Sequence, residues 1–389
     1  MQPALSVVES QTLATDLRAE AARLGFARVG ITGLLEPPHH DGFRGWLARG
    51  LAGPMQDWLE RHEPLRRSAS SILEGAASVV MLATDHASLP AMESCPPGRG
   101  RVARYAWGDD YHDLLRARVN ALSAWLESRV PGCRTRGVVD SAPIAERDLA
   151  QAAGLGWIGK NAMLISPTAG SWFLLTAFVT DVRLPADTPL ETDHCGTCTA
   201  CLEACPTEAF PEPGVLDAAR CISALTVESR SSIPVELRAG MGDWIFGCDV
   251  CQEVCPWNRH APGSSEPTLQ PRGGEATLPL AELLALDESG FRRLVRGSAI
   301  KRAKRTGLLR SVAIALGNRP HEPSFAALAA AARDDDPVVR EAAAWALGRW
   351  IEAGVMVDEC RAALVAHASS HDETSSTSAD GSRPGPSTA

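Results

Sequence analysis

Eight cysteines between Cys195 and Cys255 constrain this chain more than any other feature. Cys195-x2-Cys198-x2-Cys201-x3-Cys205 runs straight into Pro206, and Cys248-x2-Cys251-x3-Cys255 runs into Pro256. In such a run three thiolates clasp one [4Fe–4S] cubane, and the cysteine before proline reaches a second. The second run is one cysteine short, and Cys221 lies between the two. The simplest assignment gives one cluster Cys195, Cys198, Cys201 and Cys255. The other takes Cys205, Cys221, Cys248 and Cys251. Zinc also accepts four thiolates, but two crossed Cys-Pro runs favour cubanes. Cys95, Cys133 and Cys360 stand apart and are expected to be ordinary thiols.

The first run matches that of bacterial ferredoxins, so residues 186–262 are expected to form a ferredoxin-like two-cluster domain. Such clusters pass electrons one at a time. With four protein thiolates each, they leave no iron open to a substrate, so bond-breaking must occur elsewhere in the chain. The 389 residues exceed what one core usually organises. A net charge of −9 excludes a general nucleic-acid coat and leaves RNA contact to a local basic patch. The N-terminus lacks a basic segment followed by an apolar run, and no stretch approaches the ~18 apolar residues of a membrane span. A soluble cytoplasmic monomer with reduced thiols is expected.

Residues 1–185 read as one α+β domain. An amphipathic helix is expected over 9–24 and another from Asp109 to Arg129. PIAERDLAQAAG is a third, with Gly154 at its C-terminus. Strands are expected at 26–32, 77–84, 136–140 and 171–182. A Pro/Gly/Ser-rich stretch at 261–276 opens a linker and basic segment over 263–300. From 301 to 366 the pattern is helical. LLRSVAIALGN (308–318) resembles VVREAAAWALGRW (338–350), which suggests a HEAT-like array. Asp336 and Pro337 supply an N-cap and a first-turn proline. Residues 367–389 are expected to be disordered. The fold class expected is multidomain α+β: an α/β first domain, the ferredoxin-like domain and a C-terminal helical repeat.

Gly154-x-Gly156-x-x-Gly159 matches a dinucleotide fingerprint, but a helix precedes it and a strand-like run follows. That is the reverse of the required context, so no nicotinamide cofactor is expected. The glycines still permit close backbone approach to a large ligand, with Lys160 and Asn161 as polar neighbours.

VVDSAPIAERDLAQAAGLGWIGKN (138–161), both cysteine runs, CISALT (221–226) and AIKRAKRTGLLRSVAIALGN (299–318) resemble the epoxyqueuosine reductase family. The resemblance extends to about residue 350. It implies that epoxyqueuosine at the wobble position of tRNA loses its epoxide oxygen to give queuosine, the last step of queuosine synthesis. Two electrons and two protons are consumed and water leaves. It also implies a cobalamin held in the first domain, between substrate and clusters, and an external one-electron donor.

Carried over by position, Asp140 is the proton donor. A carboxyl donating near neutral pH needs a raised pKa, which burial against a corrin would supply; taken alone, the residue fits a helix cap equally well. Ile158, Gly159, Lys160, Asn161, Leu164, Leu175, Ser223, Cys248 and Asp249 are implied to line the cobalamin site together with Asp140, with Arg61 and neighbouring Arg66 on its side chains. Leu164 and Leu175 also fit plain core. Asp110-Tyr111-His112 lacks the glycine of the D-x-H-x-x-G cobalt-ligand pattern and lies in an expected helix, so His112 is not expected to ligate cobalt.

Arg292, Arg293, Arg296, Lys301, Arg302, Lys304, Arg305 and Arg310 lie close together in an acidic chain. Charge alone suits a solvated helix face. The resemblance points instead to tRNA phosphates, with Lys301, Arg302, Lys304 and Arg305 as the contacts. Two other functions compete. A reductive dehalogenase-like cobalamin enzyme usually carries an export signal and needs no basic helical tail. A ferredoxin-type electron carrier leaves the first half of the chain without a use.

Overall fold

The computed structural model describes residues 6–86, 94–190 and 192–376. The strands are β1 (Arg28–Thr32), β2 (Ser78–Asp85), β3 (Arg99–Val102), β4 (Thr135–Val138), β5 (Trp157–Ile158), β6 (Leu164–Ile165), β7 (Phe173–Thr180), β8 (Trp244–Phe246) and β9 (Thr277–Pro279). β1, β2, β7 and β4 form an antiparallel sheet in that order. The β-branched and apolar runs of β2 and β7 suit them to its centre, where both faces are covered. On one face Val80, Leu82 and Phe178 pack with Leu17, Leu115 and Leu122 from the helices Val7–Arg23 and Tyr111–Arg129. On the other, Val79, Met81 and Ala177 pack with Leu149 and Ala150 of the helix Glu146–Ala152. Each large apolar side chain so buried contributes roughly 1.5–3 kcal/mol.

Two boundaries differ from the sequence pattern in ways that matter for the site. The helix expected from Asp109 begins at Tyr111, because Asp110 is its N-cap and accepts the His112 N–H. The strand expected to reach residue 140 stops at Val138, and Asp140 takes a positive φ of 52°.

The stretch expected to be linker is folded. β9 pairs antiparallel with β3, whose other edge takes β8 in parallel. Leu280, Leu283, Leu284 and Phe291 follow it into the core. Proline and glycine around a three-residue strand hid the pairing from local pattern. One apolar core therefore runs from Ala14 through the cysteine segment to Ala363.

The C-terminal part of this core is built by the helices Lys304–Asn318, Phe325–Ala331, Pro337–Glu352 and Val357–Ser376. Asp336 caps the third through the Val338 N–H, as its sequence suggests. Trp350 Nε1–H donates to Leu316 O at 2.7 Å and locks that helix to the first. Of the segment expected to be disordered, 377–389 lies outside the described residues, and the last helix carries the backbone to Ser376. Among the described residues no helix is long and apolar enough to cross a membrane.

Arg310 corrects the reading of the basic segment. It is fully buried and donates to Leu225 O at 2.8 Å, Ser231 O at 2.7 Å and Ser229 O at 3.1 Å. It ties the first C-terminal helix to the cysteine segment and is closed to phosphate. Arg310→Ala strands these carbonyls, and an unsatisfied buried acceptor costs on the order of 1–3 kcal/mol. A loss of about 2–4 kcal/mol in urea unfolding is expected. A shift under about 0.5 kcal/mol, the range of ordinary surface changes, would make the arginine dispensable.

Candidate active site and cluster domain

The eight cysteines separate into two quartets by their influence on one another. Burial raises the Cys201, Cys221, Cys248, Cys251 and Cys255 thiols, and neighbouring sulfurs raise them further. Cys201 feels Cys255, Cys195 and Cys198, and Cys255 feels Cys195 and Cys198. Cys221 feels Cys205, while Cys248 feels Cys251 and Cys221. Cys251 feels Cys221 and Cys205 and also Cys201 across the gap, so the quartets are adjacent. Apart from Cys251 with Cys201, each of these neighbours falls within one of the two sets assigned from the spacing. Among the described residues no three His, Cys, Asp or Glu side chains converge tightly enough to hold one metal ion. Cys95, Cys133 and Cys360 are buried outside both quartets.

The cluster domain grips the first domain at several points. Lys160 Nζ donates to Gly196 O at 2.6 Å and Cys198 O at 3.0 Å, and Asn161 Nδ2 donates to Cys251 O at 3.3 Å. Asp249 is buried and accepts the Arg104 N–H at 2.8 Å. Next to Arg104, the Tyr105 ring stands 6.1 Å from Phe246 and 5.9 Å from Tyr111. A continuous packed path therefore joins the Cys248 segment to Asp140.

Asp140 sits at the apex of a tight turn after β4. The Ser141 N–H donates to Val139 O at 2.6 Å, two residues back, around the positive φ of Asp140. A non-glycine residue held there costs on the order of 1–3 kcal/mol, and such strain clusters at functional sites. The side chain is 58% accessible. Its Oδ2 accepts from Tyr111 Oη at 3.0 Å and meets His112 Nε2 at 3.0 Å. His112 Nδ1 bonds Asp110 Oδ1 at 2.7 Å, and Lys301 Nζ pairs with Asp110 Oδ2 at 2.5 Å. Lys301, Asp110, His112 and Asp140 thus form a chain of one ion pair and two hydrogen bonds.

Charge in this chain differs from the raised Asp140 expected. The His112 hydrogen bond outweighs desolvation and holds the Asp140 carboxyl below its usual range. Burial opposes the charge on His112, but Asp110 and Asp140 together push its pKa up to about 9. The mobile proton at neutral pH therefore resides on the imidazole, 3.0 Å from Asp140. Behind the turn, Glu146 Oε1 accepts the Asp140 N–H at 3.3 Å. Burial, and then Asp140, push Glu146 up to about 8.

Other expected site residues divide by placement. Ile158 and Leu175 are half-exposed and pack with Ala142 against the same core, leaving an apolar shelf beside the Asp140 turn. Leu164 is core at 3% exposure. Gly159 is buried, and a Cβ there would meet Ile165 Cδ1 at 2.4 Å, so a larger residue would have to push the Ile165 side chain aside. Ser223 and Cys248 are half-exposed, and their segments are joined by the Gly247 N–H to Thr226 Oγ1 bond. Arg61 is exposed and reaches only its own helix at Asp57 O, whereas Arg66 donates to Ile144 O at 3.1 Å and closes the far side of the Asp140 loop. In the basic segment Arg302 pairs with Glu228 at 2.9 Å and is 57% exposed. Arg305 is bound by Asp334 at 2.5 Å and is 19% exposed. Sequence reasoning missed Tyr111 and Glu146 and weighed His112 only as a metal ligand. The available signal was Asp110 as N-cap, which fixes His112 in the first helical turn.

Residues 194–258 match the 4Fe-4S double cluster binding domain, and residues 66–141 match the model described as epoxyqueuosine reductase QueG. The epoxyqueuosine reductase of Xanthomonas campestris is 41% identical over 354 residues, 90% of this chain and 99% of that one. The chain belongs to the epoxyqueuosine reductase family. The Escherichia coli epoxyqueuosine reductase is 39% identical over 345 residues, 87% of this chain and 90% of its own. An epoxyqueuosine reductase solved with an epoxyqueuosine-modified tRNA-Tyr stem loop superposes with a TM-score of 0.80 at 31% identity, covering 87% of this chain and 90% of that one. The Bacillus subtilis enzyme, solved with an aspartate's catalytic loop swung out of the active site, gives 0.79 at 29% identity over 92% and 98%. As an epoxyqueuosine reductase, the chain is an oxidoreductase with a double [4Fe–4S] cluster domain.

Proposed function

We propose that this chain reduces epoxyqueuosine in tRNA to queuosine, with Asp140 passing the proton to the oxygen of the opening epoxide. The observation that carries it is the Asp140 turn, a strained carboxylate backed by a protonated imidazole and open on its outer side. Both carbon–oxygen bonds of the epoxide break, a carbon–carbon double bond forms, two electrons and two protons enter and water leaves. Cobalamin, when bound, supplies the nucleophile that opens the ring, and the two clusters supply its electrons singly. The half-exposed shelf of Ile158 and Leu175, with the backbone at Gly159, would receive the corrin face. Asn161, Ser223, Cys248 and Asp249 would border it on the cluster side, and Arg61 would meet its outer side chains.

His112 reloads Asp140 through their shared hydrogen bond, Asp110 fixes the imidazole, and Tyr111 holds the carboxylate oxygen. Such positioned proton transfer is worth about 10²–10⁴-fold in rate. The exposed Cys198 makes its quartet the entry for an external one-electron donor, and the quartet of Cys248 hands electrons on.

The nucleic acid is a tRNA stem loop like that held by the solved relative. Lys301, Arg302 and Lys304 face its phosphates, the HEAT-like helices brace it, and Arg305 contributes by anchoring the segment to Asp334. The work is done in the cytoplasm. Arg302→Ala with Lys304→Ala should weaken tRNA binding and lower the salt slope by about 2, one per lost phosphate contact. An unchanged slope in filter binding would remove both from the interface.

The deciding test incubates anaerobically reconstituted protein with cobalamin, reductant and epoxyqueuosine-bearing tRNA. Nucleoside mass spectrometry should show conversion to queuosine. Persistent epoxyqueuosine, with about eight irons and corrin bound per chain, would reject the function.

A further inference from the structure

The Asp140 turn is strained, and a side chain from the following helix supports the Asp140 N–H. Asp140 has φ 52°, and within the turn the Ser141 N–H and Oγ–H both donate to Val139 O, leaving the Asp140 N–H to be held from outside. Glu146, first residue of the helix Glu146–Ala152, accepts the Asp140 N–H at 3.3 Å. Arg66 holds the other end of the loop at Ile144 O. A relative has been solved with its catalytic loop swung out of the active site, so what fixes such a loop bears directly on turnover.

We infer that Glu146 is a positioning residue for the reaction: its carboxyl oxygen holds the Asp140 N–H and keeps the turn that aims Asp140 at His112 and Tyr111. This rests on the proton-donor reading of Asp140. The charged groups facing Glu146 are Asp140, Arg66 and Arg147. A neutral carboxyl keeps an acceptor for the N–H and adds no charge beside Asp140. An ionised one sets a second negative charge there.

The aimed turn therefore binds a proton at Glu146 more tightly than an opened one, in which Glu146 relaxes toward its ordinary range. Its pKa in the aimed state is about 8. Closure is favoured at low pH, loses up to about tenfold per pH unit as pH rises toward that value, and levels above it. His112 loses the Asp140 contact when the turn opens, so from about 6.5, the ordinary imidazole value, up to about 9 it adds a fall of the same sign; below that it is protonated in both states and the slope belongs to Glu146 alone.

The test compares single-turnover rates of Glu146→Ala, Glu146→Gln and the unaltered protein on epoxyqueuosine tRNA. Glu146→Ala should lose about tenfold or more in rate, with tRNA affinity and cluster absorbance intact. Glu146→Gln keeps an acceptor, so it should recover most of the rate and flatten the pH dependence below about pH 6.5, where His112 adds none. Glu146→Ala at the full rate would overturn the inference, as would a Gln variant that keeps the slope. If Glu146→Ala fails to fold, the Gln profile alone decides. An inactive Asp140→Asn beside a fully active Glu146→Ala sinks this inference only. A fully active Asp140→Asn sinks the proton-donor reading and this inference with it.

Discussion

Asp140→Asn is expected to keep both clusters and the bound corrin and to lose at least about a hundredfold in turnover. The substitution is nearly isosteric. Asparagine tolerates positive φ well, so the turn at φ 52° should survive. Its amide oxygen can still accept from Tyr111 and His112. What it cannot do is carry the imidazole's proton to the substrate oxygen. His112 would also lose one of the two carboxylates that raise it, so the imidazolium becomes a weaker reservoir. Cluster absorbance and corrin content separate this loss from misfolding, and full turnover would exclude Asp140 from proton delivery. The same chain sets the alkaline limit of the unaltered protein. The imidazolium is present below about pH 9 and lost above it, so turnover should fall through that value. His112→Ala should remove that limb along with most of the rate.

What was legible in the sequence was whatever local spacing controls. Two short cysteine runs dictate which thiolates can share a cage, and alternating or continuous apolar runs mark β2 and β7 as central strands. The proton chain was not legible, because it forms where a helix start and a strand end meet, 28 residues apart. Asp110, weighed only within a metal-ligand pattern, caps the helix, and its other oxygen reaches Lys301 across the molecule. The basic segment misled for a related reason. Composition counts charges without their partners, and Arg310 and Arg305 spend theirs on carbonyls and on Asp334. Lys160 was singled out as a neighbour of the large ligand, yet its ammonium holds the cluster loop at Gly196 and Cys198. The three-residue β9 carries too little pattern to be seen without its partner β3.

Cys221→Ala is expected to halve the iron, from about eight to about four per chain, and to abolish turnover. Cys221 lies outside both cysteine runs, just before the helix Ile222–Val227. Its assignment rests on where the fold brings it, beside Cys205, Cys248 and Cys251. Without it that cage has three thiolates, and a cubane left with an open corner is labile to loss. The Cys195 quartet shares no ligand with it and should keep its own four irons. Electrons would then enter at the exposed Cys198 side and find no route past the empty cage to the Asp140 site. Cys360→Ala removes a thiol buried in the C-terminal helices and should leave the iron count unchanged, which controls for unspecific damage. Retention of about eight irons in Cys221→Ala would place the fourth ligand elsewhere. Turnover with only four would mean that electrons reach the substrate without crossing the second cluster.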